Sequence, residues 1–346
     1  MRAGVDVQAV LAGDRRALAR ALTEVENDTP EGRLALDAFF KYSGKAHLVG
    51  VTGSPGAGKS SLVNQIALHL RHPQVGEPLK IAIVAVDPSS PFTGGALLGD
   101  RVRMRDLAGD SGVFIRSMAS RGTLGGLARS TSALARVLDA AGYDLVLIET
   151  VGAGQSEVDI ARLAHTTIVV EAPGMGDDIQ AIKAGILEIA DILVVNKSDQ
   201  PMADNAERAL KAMLDLAHPQ QHSAFERLHH RQLAFEPVLP VLPVDADPSP
   251  TEMWVPPVLR TISTQGEGIE AVVNAIKDHA IYLRQHGEWQ QREAARLQEE
   301  LNELLLAALA AQWQERVDKG NIQRVVQGVL DREYSPYQAL QILLKF

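Results

Sequence analysis

Short apolar runs rich in β-branched residues begin at His47 and alternate with stretches of helical periodicity. The runs are continuous and are not interrupted by polar residues, which is typical of strands buried on both faces of a parallel sheet. This pattern predicts an α/β fold with a doubly wound, mostly parallel sheet. The predicted strands read HLVGVT, KIAIVAVD, GVFIRS, YDLVLIET, TTIVVEA, DILVVNKSD and, further along the chain, PVLRTIS.

Residues 1–43 precede the first predicted strand. Apolar residues recur there at helical spacing in two stretches within residues 5–42. Thr29 is placed to cap the second stretch, and Pro30 suits the first position of a helix because the N–H that it lacks would have no helical partner there. We therefore predict an N-terminal helical extension of the sheet domain.

Residues 286–346 are predicted to form a C-terminal helical arm. Residues 288–317 contain no Gly or Pro, and apolar residues recur three and four positions apart. A helix of this length would extend about 45 Å, so we expect its apolar seam to pack against a second copy of the chain rather than within one chain. Gly320 permits the helix to end. The seam consists of Ala294, Leu297, Leu301, Leu304, Ala308 and Ala311.

Residues 44–285 form the predicted sheet domain, and residues 218–257 within it resemble an insertion. Prolines at 237, 240, 243, 248 and 250 break regular strand pairing in this segment. The segment either alters contacts with a partner or is a tolerated surface excursion. The sequence leaves both alternatives open.

Composition and charge exclude several classes of protein. The chain has 346 residues, of which 46% are hydrophobic and 22% charged, so disorder is not its dominant state. Its formal net charge of -9 argues against sequence-independent binding of nucleic acid or of an anionic membrane surface. The absence of cysteine excludes disulfides, thiolate metal sites and cysteine nucleophiles. No apolar run approaches the roughly 20 residues of a membrane span, and the N-terminus lacks a signal-type apolar core, so we expect a cytoplasmic protein.

The first predicted strand leads into the pattern GxxxxGK[ST], which a helical stretch follows. Glycines allow backbone N–H groups to wrap around phosphate oxygens, and the helix N-terminus adds positive potential. We expect Lys59 to reach the β- and γ-phosphates and Ser60 to offer an oxygen to Mg²⁺. The flanking strand and helix disfavour the alternative, a glycine-rich turn that merely contains a lysine. The chain is therefore predicted to be a P-loop NTPase with the nucleotide-binding residues Gly53, Ser54, Pro55, Gly56, Ala57, Gly58, Lys59, Ser60 and Ser61.

The tetrapeptide NKSD at residues 196–199 ends another predicted strand, at the sheet edge where open α/β folds bind nucleotides. An aspartate carboxylate can accept hydrogen bonds from both N1–H and N2–H of guanine, whereas adenine has no proton on N1. We therefore predict that Asn196, Lys197 and Asp199 recognise the base and select GTP over ATP. Ser263 and Thr264, at the end of the next predicted strand, are weaker candidates for base contacts through their backbone N–H groups.

Two predicted strands end in carboxylates that would lie beside the phosphates. KIAIVAVD ends at Asp87, and in YDLVLIET the carboxylate of Glu149 precedes Gly152 in the carboxylate-x-x-Gly pattern of a Walker B strand and switch. A hard cation between the phosphates prefers oxygen ligands. Each acidic residue also has a structural alternative as a turn former, a helix cap or a solvated strand end. The candidate Mg²⁺ ligands are Ser60, Asp87, Asp100 and Glu149.

Two loops beside these carboxylates have the composition of nucleotide-sensing switches. Residues 88–99 join two of the carboxylates through small, flexible residues, and residues 151–157 form a second, glycine-rich loop. In the second loop Gln155 could orient water or respond to the γ-phosphate. The alternative for Gln155 is a solvated glutamine without a catalytic role.

These motifs resemble the MeaB/ArgK family, GTPases associated with methylmalonyl-CoA mutase and its relatives. The resemblance extends roughly over residues 5–285 and the dimerising tail, apart from the insertion, and includes GSPGAGKSS, IETVGAGQSE and NKSD. Generic P-loop proteins do not share its most specific stretches, VDPSSPFTGGALLGDRVRM, IRSMASRGTLGGLA and EAPGMGDDIQAIKAGILEIADI.

The resemblance implies a Mg²⁺-dependent GTPase that is slow without its partner and acts as a homodimeric G-protein chaperone. Proteins of this family dock on an adenosylcobalamin-dependent acyl-CoA mutase, gate delivery of the cofactor through GTP hydrolysis, and help to remove damaged cofactor. An adenosyltransferase is a further candidate partner. No cobalamin is expected to bind stably to this chain itself.

The resemblance also implies roles for single segments. The family's switch loops correspond to residues 88–103 and 151–157, and a third switch corresponds to residues 173–183. Lys183 occupies the place of a lysine that helps to activate hydrolysis when the partner binds. A solvated helix lysine is the alternative reading of that residue. The implied catalytic set is Lys59, Gln155, Lys183 and Glu149.

The sequence departs from the family pattern at two places. The segment at residues 219–256 is longer than the usual connection, and the base-contact segment reads Ser-Thr-Gln where Ser-Ala-Leu is commoner. The second departure leaves NKSD as the firmer sign of guanine recognition.

Two other enzymatic functions share part of the pattern. A metal-insertion GTPase of the nickel-delivery type needs metal ligands, and its candidate ligands here are the irregularly spaced His218, His222, His229 and His230. A transport-associated ATPase or kinase is disfavoured by the guanine-reading NKSD. A non-enzymatic scaffold with a structural nucleotide is a third alternative.

Overall fold

The structure is a computed structural model that describes residues 4–88, 104–107, 109–120, 126–150, 155–174, 189–217 and 253–345. Asp100, Lys183 and residues 218–252 of the predicted insertion lie outside these ranges. Asp87 and Gln155 are described through their backbone alone.

The strands of the sheet are β1 (His47–Gly53), β2 (Ile81–Pro88), β3 (Val113–Ser120), β4 (Leu145–Thr150), β5 (Thr166–Glu171), β6 (Ile192–Val195) and β7 (Val258–Arg260). They form one seven-stranded sheet in the order β3-β2-β4-β1-β5-β6-β7, and all of the pairings are parallel. Every residue of β1, β4, β5 and β6 is buried. This burial explains the continuous apolar runs and confirms the predicted α/β fold.

Helices cover both faces of the sheet. They are α1 (Val7–Leu11), α2 (Arg15–Glu26), α3 (Pro30–Phe40), α4 (Lys59–Arg71), α5 (Gly126–Ala140), α6 (Gln155–Leu163), α7 (Ala203–Ala217), α8 (Ile269–Gln285), α9 (Glu288–Arg316), α10 (Lys319–Leu330) and α11 (Pro336–Leu343). On one face α2, α3 and α5 pack with Val84 and Ile148, while on the other α4 and α8 pack with Ile83 and Leu147. Among the described residues, no helix combines the length and apolarity needed to cross a membrane.

The N-terminal extension contains a helix break that the apolar spacing did not predict. The Asp14 carboxylate accepts hydrogen bonds from two N–H groups in the first turn of α2, at 2.8 and 2.9 Å. This cap starts a new helix and separates α1 from α2. The predicted cap of α3 is confirmed, since the Thr29 hydroxyl accepts the N–H of Gly32 at 3.0 Å and Pro30 is the first helical residue.

The C-terminal segment also breaks at an aspartate cap. Helix α9 ends at Arg316, and Asp318 caps α10 by accepting the N–H of Asn321 at 3.3 Å. The predicted helix over residues 288–317 is confirmed to within one residue, but Gly320 lies inside α10 and does not end the helix. The cap determines the break because it satisfies an N–H group that would otherwise lack a partner.

The contacts divide the chain into two compact units, and the boundary falls between Glu293 and Ala294, inside α9. The larger unit contains the sheet. The smaller unit contains the rest of α9 together with α10 and α11, where the indole N–H of Trp313 donates to the Leu343 carbonyl at 3.0 Å. The predicted domain boundaries after residues 43 and 285 stay predictions.

A buried cluster of histidines lies at the amino edge of the sheet, at the opposite ends of the strands from the predicted phosphate loop. His47, His165 and His279 are 9%, 3% and 0% exposed. The Thr166 hydroxyl lies 2.7 Å from His47 Nε2 and 2.9 Å from His279 Nδ1, so it links the two imidazoles. His279 Nε2 lies 3.3 Å from a carboxylate oxygen of Asp191.

The first two turns of α9 pack against this histidine cluster. Arg292 donates to both carboxylate oxygens of Asp191, at 2.9 and 3.0 Å. The Trp289 ring stacks on His165 with their centroids 3.9 Å apart. Since Nδ1 of His165 accepts a backbone N–H of β1 at 3.0 Å, its Nε2 carries the proton and donates to Glu293 at 2.7 Å. These contacts fix the beginning of α9 to the sheet.

Candidate functional site

The loop between β1 and α4 has the backbone geometry of a phosphate cradle. Gly53, Gly56 and Gly58 have φ angles of 130, 79 and 95 degrees, which glycine adopts without strain. A Cβ on Gly53 would lie 2.0 Å from the Val170 carbonyl oxygen, so the loop packs directly against β5. Gly58 is the N-cap of α4 and has no side chain, so no side-chain cap competes for the N–H groups of the first turn. Such N–H groups are available to phosphate oxygens.

Lys59 folds back over this loop. Its ammonium group donates to the carbonyl oxygens of Gly53 and Ser54, at 2.7 and 3.0 Å, and the residue is only 5% exposed. The loop therefore holds the positive charge of Lys59 against its own backbone, within the predicted phosphate-binding segment. The same turn carries the other predicted phosphate-binding residues: the exposed Pro55 and Gly56, the buried Ala57 and the half-buried Ser61.

Ser60 and Glu149 form a buried pair of oxygen groups beside the loop. The Ser60 hydroxyl donates to Glu149 Oε1 at 2.5 Å, and the two residues are 7% and 6% exposed. Ser60 belongs to the first turn of α4, whereas Glu149 belongs to β4, the neighbour of β1 in the sheet. A hydroxyl and a carboxylate in contact are the oxygen donors that suit Mg²⁺.

The other two predicted Mg²⁺ ligands are described only in part. Ala85 of β2 pairs with Glu149, so Asp87, two residues further along β2, has its backbone at the same sheet edge. Asp100 lies outside the described residues. The structure thus brings Ser60, Glu149 and the backbone of Asp87 to one place.

Asn196 connects the end of β6 to the phosphate loop. Its Nδ2 donates to the Ala57 carbonyl at 2.8 Å. Its Oδ1 accepts from the Thr261 hydroxyl at 3.0 Å and from the N–H and hydroxyl of Ser263 at 3.1 and 2.8 Å. A Cβ on Gly58 would lie 2.3 Å from Asn196 Nδ2, so the contact requires glycine at that position. One asparagine therefore joins the phosphate loop to the segments after β6 and β7.

The remaining predicted base-reading residues surround this asparagine. Lys197 adopts a φ of 56 degrees, and its ammonium donates to the Gly56 carbonyl at 2.8 Å. Asp199 is exposed, as a carboxylate that reads an incoming base must be, and Thr264 is exposed as well. The Ser263 N–H donates to Asn196, so Ser263 positions the asparagine in this structure, and its contact with a base stays a prediction.

The predicted switch segments lie mostly outside the described residues. Gln155 is the first residue of α6, so the second loop ends at residue 154 and not at 157 as predicted. Of the third predicted switch the structure describes only Pro173 and Gly174, and Lys183 lies beyond them.

Glu171 contacts the phosphate loop and was not predicted from the sequence. It is the last residue of β5, it is 5% exposed, and its carboxylate oxygens lie 2.9 and 3.1 Å from the Ser54 hydroxyl. Its backbone carbonyl accepts the N–H of Asn196 at 2.8 Å. The sequence did contain a signal, since an acidic residue ends this strand just as Asp87 and Glu149 end theirs.

These contacts bring the phosphate loop, a serine–carboxylate pair and the predicted base-reading residues to the carboxyl edge of one parallel sheet. The glycine-lined loop leaves no room for a Cβ at two of its positions, and the donor set consists of hard oxygen atoms. Both features fit a nucleoside triphosphate with Mg²⁺. An arrangement of this kind catalyses phosphoryl transfer by positioning and charge neutralisation.

Residues 18–318 match the family described as methylmalonyl Co-A mutase-associated GTPase MeaB. A protein of Pyrococcus abyssi named as a GTPase is 40% identical over 339 residues, which cover 98% of this chain and 95% of that protein. GTPase ArgK of Escherichia coli is 38% identical over 283 residues, which cover 81% of this chain and 76% of that protein.

A crystal structure of an LAO/AO transport system kinase is similar in fold. Its TM-score is 0.68 with 28% sequence identity, and the similarity covers 98% of this chain and 95% of that chain. The similarity in sequence and in structure thus extends well beyond the phosphate loop.

Proposed function

Because the chain belongs to the MeaB family of methylmalonyl-CoA mutase-associated GTPases, and is therefore a GTPase that binds guanine nucleotide, we propose that it is the G-protein chaperone of an adenosylcobalamin-dependent acyl-CoA mutase. In this role, GTP binding and hydrolysis gate the delivery of adenosylcobalamin and protect or reactivate the mutase. The observation that carries the proposal is the match of residues 18–318 to a family described by its association with methylmalonyl-CoA mutase. An adenosyltransferase is a second proposed partner.

Within this proposal, one site binds the guanine nucleotide. The phosphate loop of residues 53–61 holds the phosphates, and Asn196, Lys197 and Asp199 recognise the base, with Ser263 and Thr264 beside them. The hydrogen bond of 2.8 Å between Asn196 Nδ2 and the Ala57 carbonyl supports a single site, because it ties the phosphate-binding and base-reading segments together.

Hydrolysis at this site would depend on residues that position the phosphates and the attacking water. Mg²⁺, when bound, would neutralise charge on the β- and γ-phosphates, and Ser60, Glu149, Asp87 and Asp100 would hold it. Lys59 would donate to the phosphates from the loop that already surrounds its ammonium group. Gln155, at the start of α6, would orient the water. No covalent nucleophile is needed.

The arm is proposed to form the contact of a homodimer. The seam residues Leu301 and Leu304 of α9 are 54% and 40% exposed in the single chain. Large apolar side chains at this exposure along one helix favour burial against a second copy through a two-fold contact. This supports the dimer predicted from the apolar seam.

The test of the proposed function is GTP hydrolysis by the full chain, measured alone and with each of four cobalamin-dependent mutases. The panel consists of methylmalonyl-, isobutyryl-, 2-hydroxyisobutyryl- and ethylmalonyl-CoA mutases. We expect one of them to raise kcat by at least about tenfold, because partner contacts complete the sites of slow GTPases. Equal rates with and without every mutase would contradict the chaperone role. The Lys59→Ala variant is the control for hydrolysis from a contaminant.

The stimulated rate should depend on Lys183. In the Lys183→Ala variant we expect GDP affinity and the basal rate to remain and mutase stimulation to be lost. Lys80→Ala is the matched control, since Lys80 is exposed next to the start of β2, at the other edge of the sheet. If the mutase stimulated GTP hydrolysis by the Lys183→Ala variant as fully as by the parent, Lys183 would be a solvated surface residue without a catalytic role.

The metal-insertion alternative depends on histidines that lie outside the described residues. Titration with nickel or zinc, followed by calorimetry, separates this alternative from the mutase chaperone. The transport-kinase alternative corresponds to the description of the similar crystal structure, and it requires phosphorylation of a protein by ATP. GTP-specific turnover without phosphoprotein product would exclude it.

A further inference from the structure

The Glu171 carboxylate holds the phosphate loop from the neighbouring strand. Gly53 pairs with Val170 in the register of β1 and β5, so the first loop residue and the end of β5 lie side by side. Ser54 and Glu171 are the next residues after this pair, and they are in contact: the Ser54 hydroxyl donates to the Glu171 carboxylate at 2.9 Å. A hydrogen bond to a carboxylate is stronger than one between neutral groups, and Glu171 is 5% exposed, so water competes little for it.

The same serine also contacts the loop lysine. The Ser54 carbonyl accepts the Lys59 ammonium at 3.0 Å, beside the Gly53 carbonyl at 2.7 Å. Rotation of the Ser54 peptide would therefore displace one of the two acceptors that orient Lys59. The carboxylate of Glu171, through the hydroxyl of Ser54, fixes this peptide and thereby the position of the ammonium group.

Glu171 touches the base-reading segment as well. Its carbonyl oxygen accepts the N–H of Asn196 at 2.8 Å, and Asn196 in turn donates to Ala57 of the phosphate loop. The residue is thus bonded to both motifs of the nucleotide site, through its side chain to one and through its backbone to the other. It also lies two residues before the segment predicted to be the third switch.

We propose that Glu171 is a positioning residue for GTP hydrolysis, which acts through the Ser54 hydroxyl to hold Lys59 in place. The inference rests on the nucleotide site proposed above and is independent of any mutase. It goes beyond the P-loop and NKSD motifs, because Glu171 belongs to neither. Its experiment therefore uses the full chain alone, without a partner.

The test compares kcat for Glu171→Ala, Ser54→Ala and the double variant, each per site titrated with a fluorescent GDP analogue. We expect kcat to fall about tenfold in each single variant, since a hydrogen bond to a charged group is worth about that factor. The double variant should be no slower than the single variants, because both interrupt one interaction. The GDP dissociation constant should change less than kcat does, because GDP lacks the γ-phosphate that Lys59 is also expected to contact during hydrolysis.

The Glu171→Gln variant separates the effect on kcat of losing the hydrogen bond from the effect of losing side-chain packing. Its amide oxygen can still accept the Ser54 hydroxyl, so it should restore most of the rate that Glu171→Ala loses. Asp139→Asn is the control for stability: Asp139 is a buried carboxylate that accepts backbone N–H groups of residues 44–46, remote from the site. We expect it to lower the unfolding temperature and to leave kcat per titrated site unchanged.

Three results would overturn the inference. Ser54→Ala could hydrolyse GTP like the parent, the losses of the two single variants could multiply to about a hundredfold, or Glu171→Gln could be as slow as Glu171→Ala. None of these results bears on the mutase, so failure of this inference remains distinct from failure of the chaperone role.

Discussion

Gly58 illustrates how a residue without a side chain shapes the nucleotide site. Its φ of 95 degrees is strained for other residues, and its missing Cβ leaves the space in which Asn196 Nδ2 approaches the loop. The sequence motif requires glycine here for the phosphate. The structure adds a second requirement, which is the contact between the phosphate loop and the end of β6.

We predict that Gly58→Ala loses both stability and GDP affinity. The left-handed backbone costs about 1–2 kcal/mol with alanine, and the displaced Asn196 would give up its hydrogen bond to Ala57. Chemical denaturation and GDP titration measure the two effects. Gly76→Ala is the matched control, because Gly76 has the same φ of 95 degrees and nothing lies within 4 Å of the added Cβ.

The control separates the free-energy cost of a left-handed backbone at alanine from the loss of the contact with Asn196. Gly76→Ala should lose only the stability that the left-handed backbone conformation costs, and it should bind GDP like the parent. Equal stability losses in the two variants, with parental GDP affinity in both, would contradict the account of Gly58.

The site residues that sequence reasoning found are those that belong to contiguous motifs. The motifs predict which residues meet the nucleotide, because the loop and the strand ends follow directly from the fold. Glu171 was missed since its partner, Ser54, is 117 positions away in the chain. Likewise, the hydrogen bond from the Ser263 N–H to Asn196 depends on a turn after β7, and no local sequence pattern specifies that turn.

At the scale of elements, strands β1, β5 and β6 each link the nucleotide site to the histidine cluster. Their carboxyl ends lead to Gly53, Glu171 and Asn196, whereas His47, Thr166 and Asp191 lie at their amino ends. Strands β1, β4, β5 and β6 were predictable because each is a fully buried apolar run, whereas β7 is only partly buried and was recognised from its short apolar stretch. The helix break at Asp14 was not predicted, since a polar cap interrupts an apolar period only when its carboxylate turns back onto the backbone.

We predict that acid destabilises the protein through the histidine cluster. Burial, together with the nearby Arg292 and His165 and against the attraction of Asp191, lowers the pKa of His279 from 6.5 to about 4. Between these values the unfolded chain binds a proton that the folded chain excludes, so the free energy of unfolding falls as pH falls. The stabilisation is complete above pH 6.5, and its loss toward pH 4 is on the order of 3 kcal/mol.

Denaturation curves between pH 7.5 and about 4 measure this dependence. The His279→Gln variant lacks the titrating group, so its stability should fall less steeply with acid than that of the parent. Asp191 keeps its other partners in the variant: burial raises the pKa of its carboxyl, whereas Arg292 and the backbone N–H of Thr167 lower it. Parallel pH profiles for parent and variant would refute the role of His279.

At the scale of the whole molecule, the apolar seam of α9 predicts the oligomeric state. We expect the parent to be a dimer and the Leu301→Lys, Leu304→Lys double variant to be a monomer in light scattering. The two side chains are 54% and 40% exposed in the single chain, so the variant should stay folded. Ala310→Lys, on the opposite side of α9, is the control and should remain dimeric. A dimeric double variant would place the contact elsewhere.

One site is proposed to recognise guanine through Asp199 and to bind the phosphates through the loop at residues 53–61. Displacement of a fluorescent GDP analogue by GDP and by ADP, in the parent and in Asp199→Asn, measures this directly. We expect GDP to displace at a far lower concentration than ADP in the parent, and the preference to shrink by about 10–100-fold in the variant. An unchanged preference in Asp199→Asn, or no preference in the parent, would contradict the account.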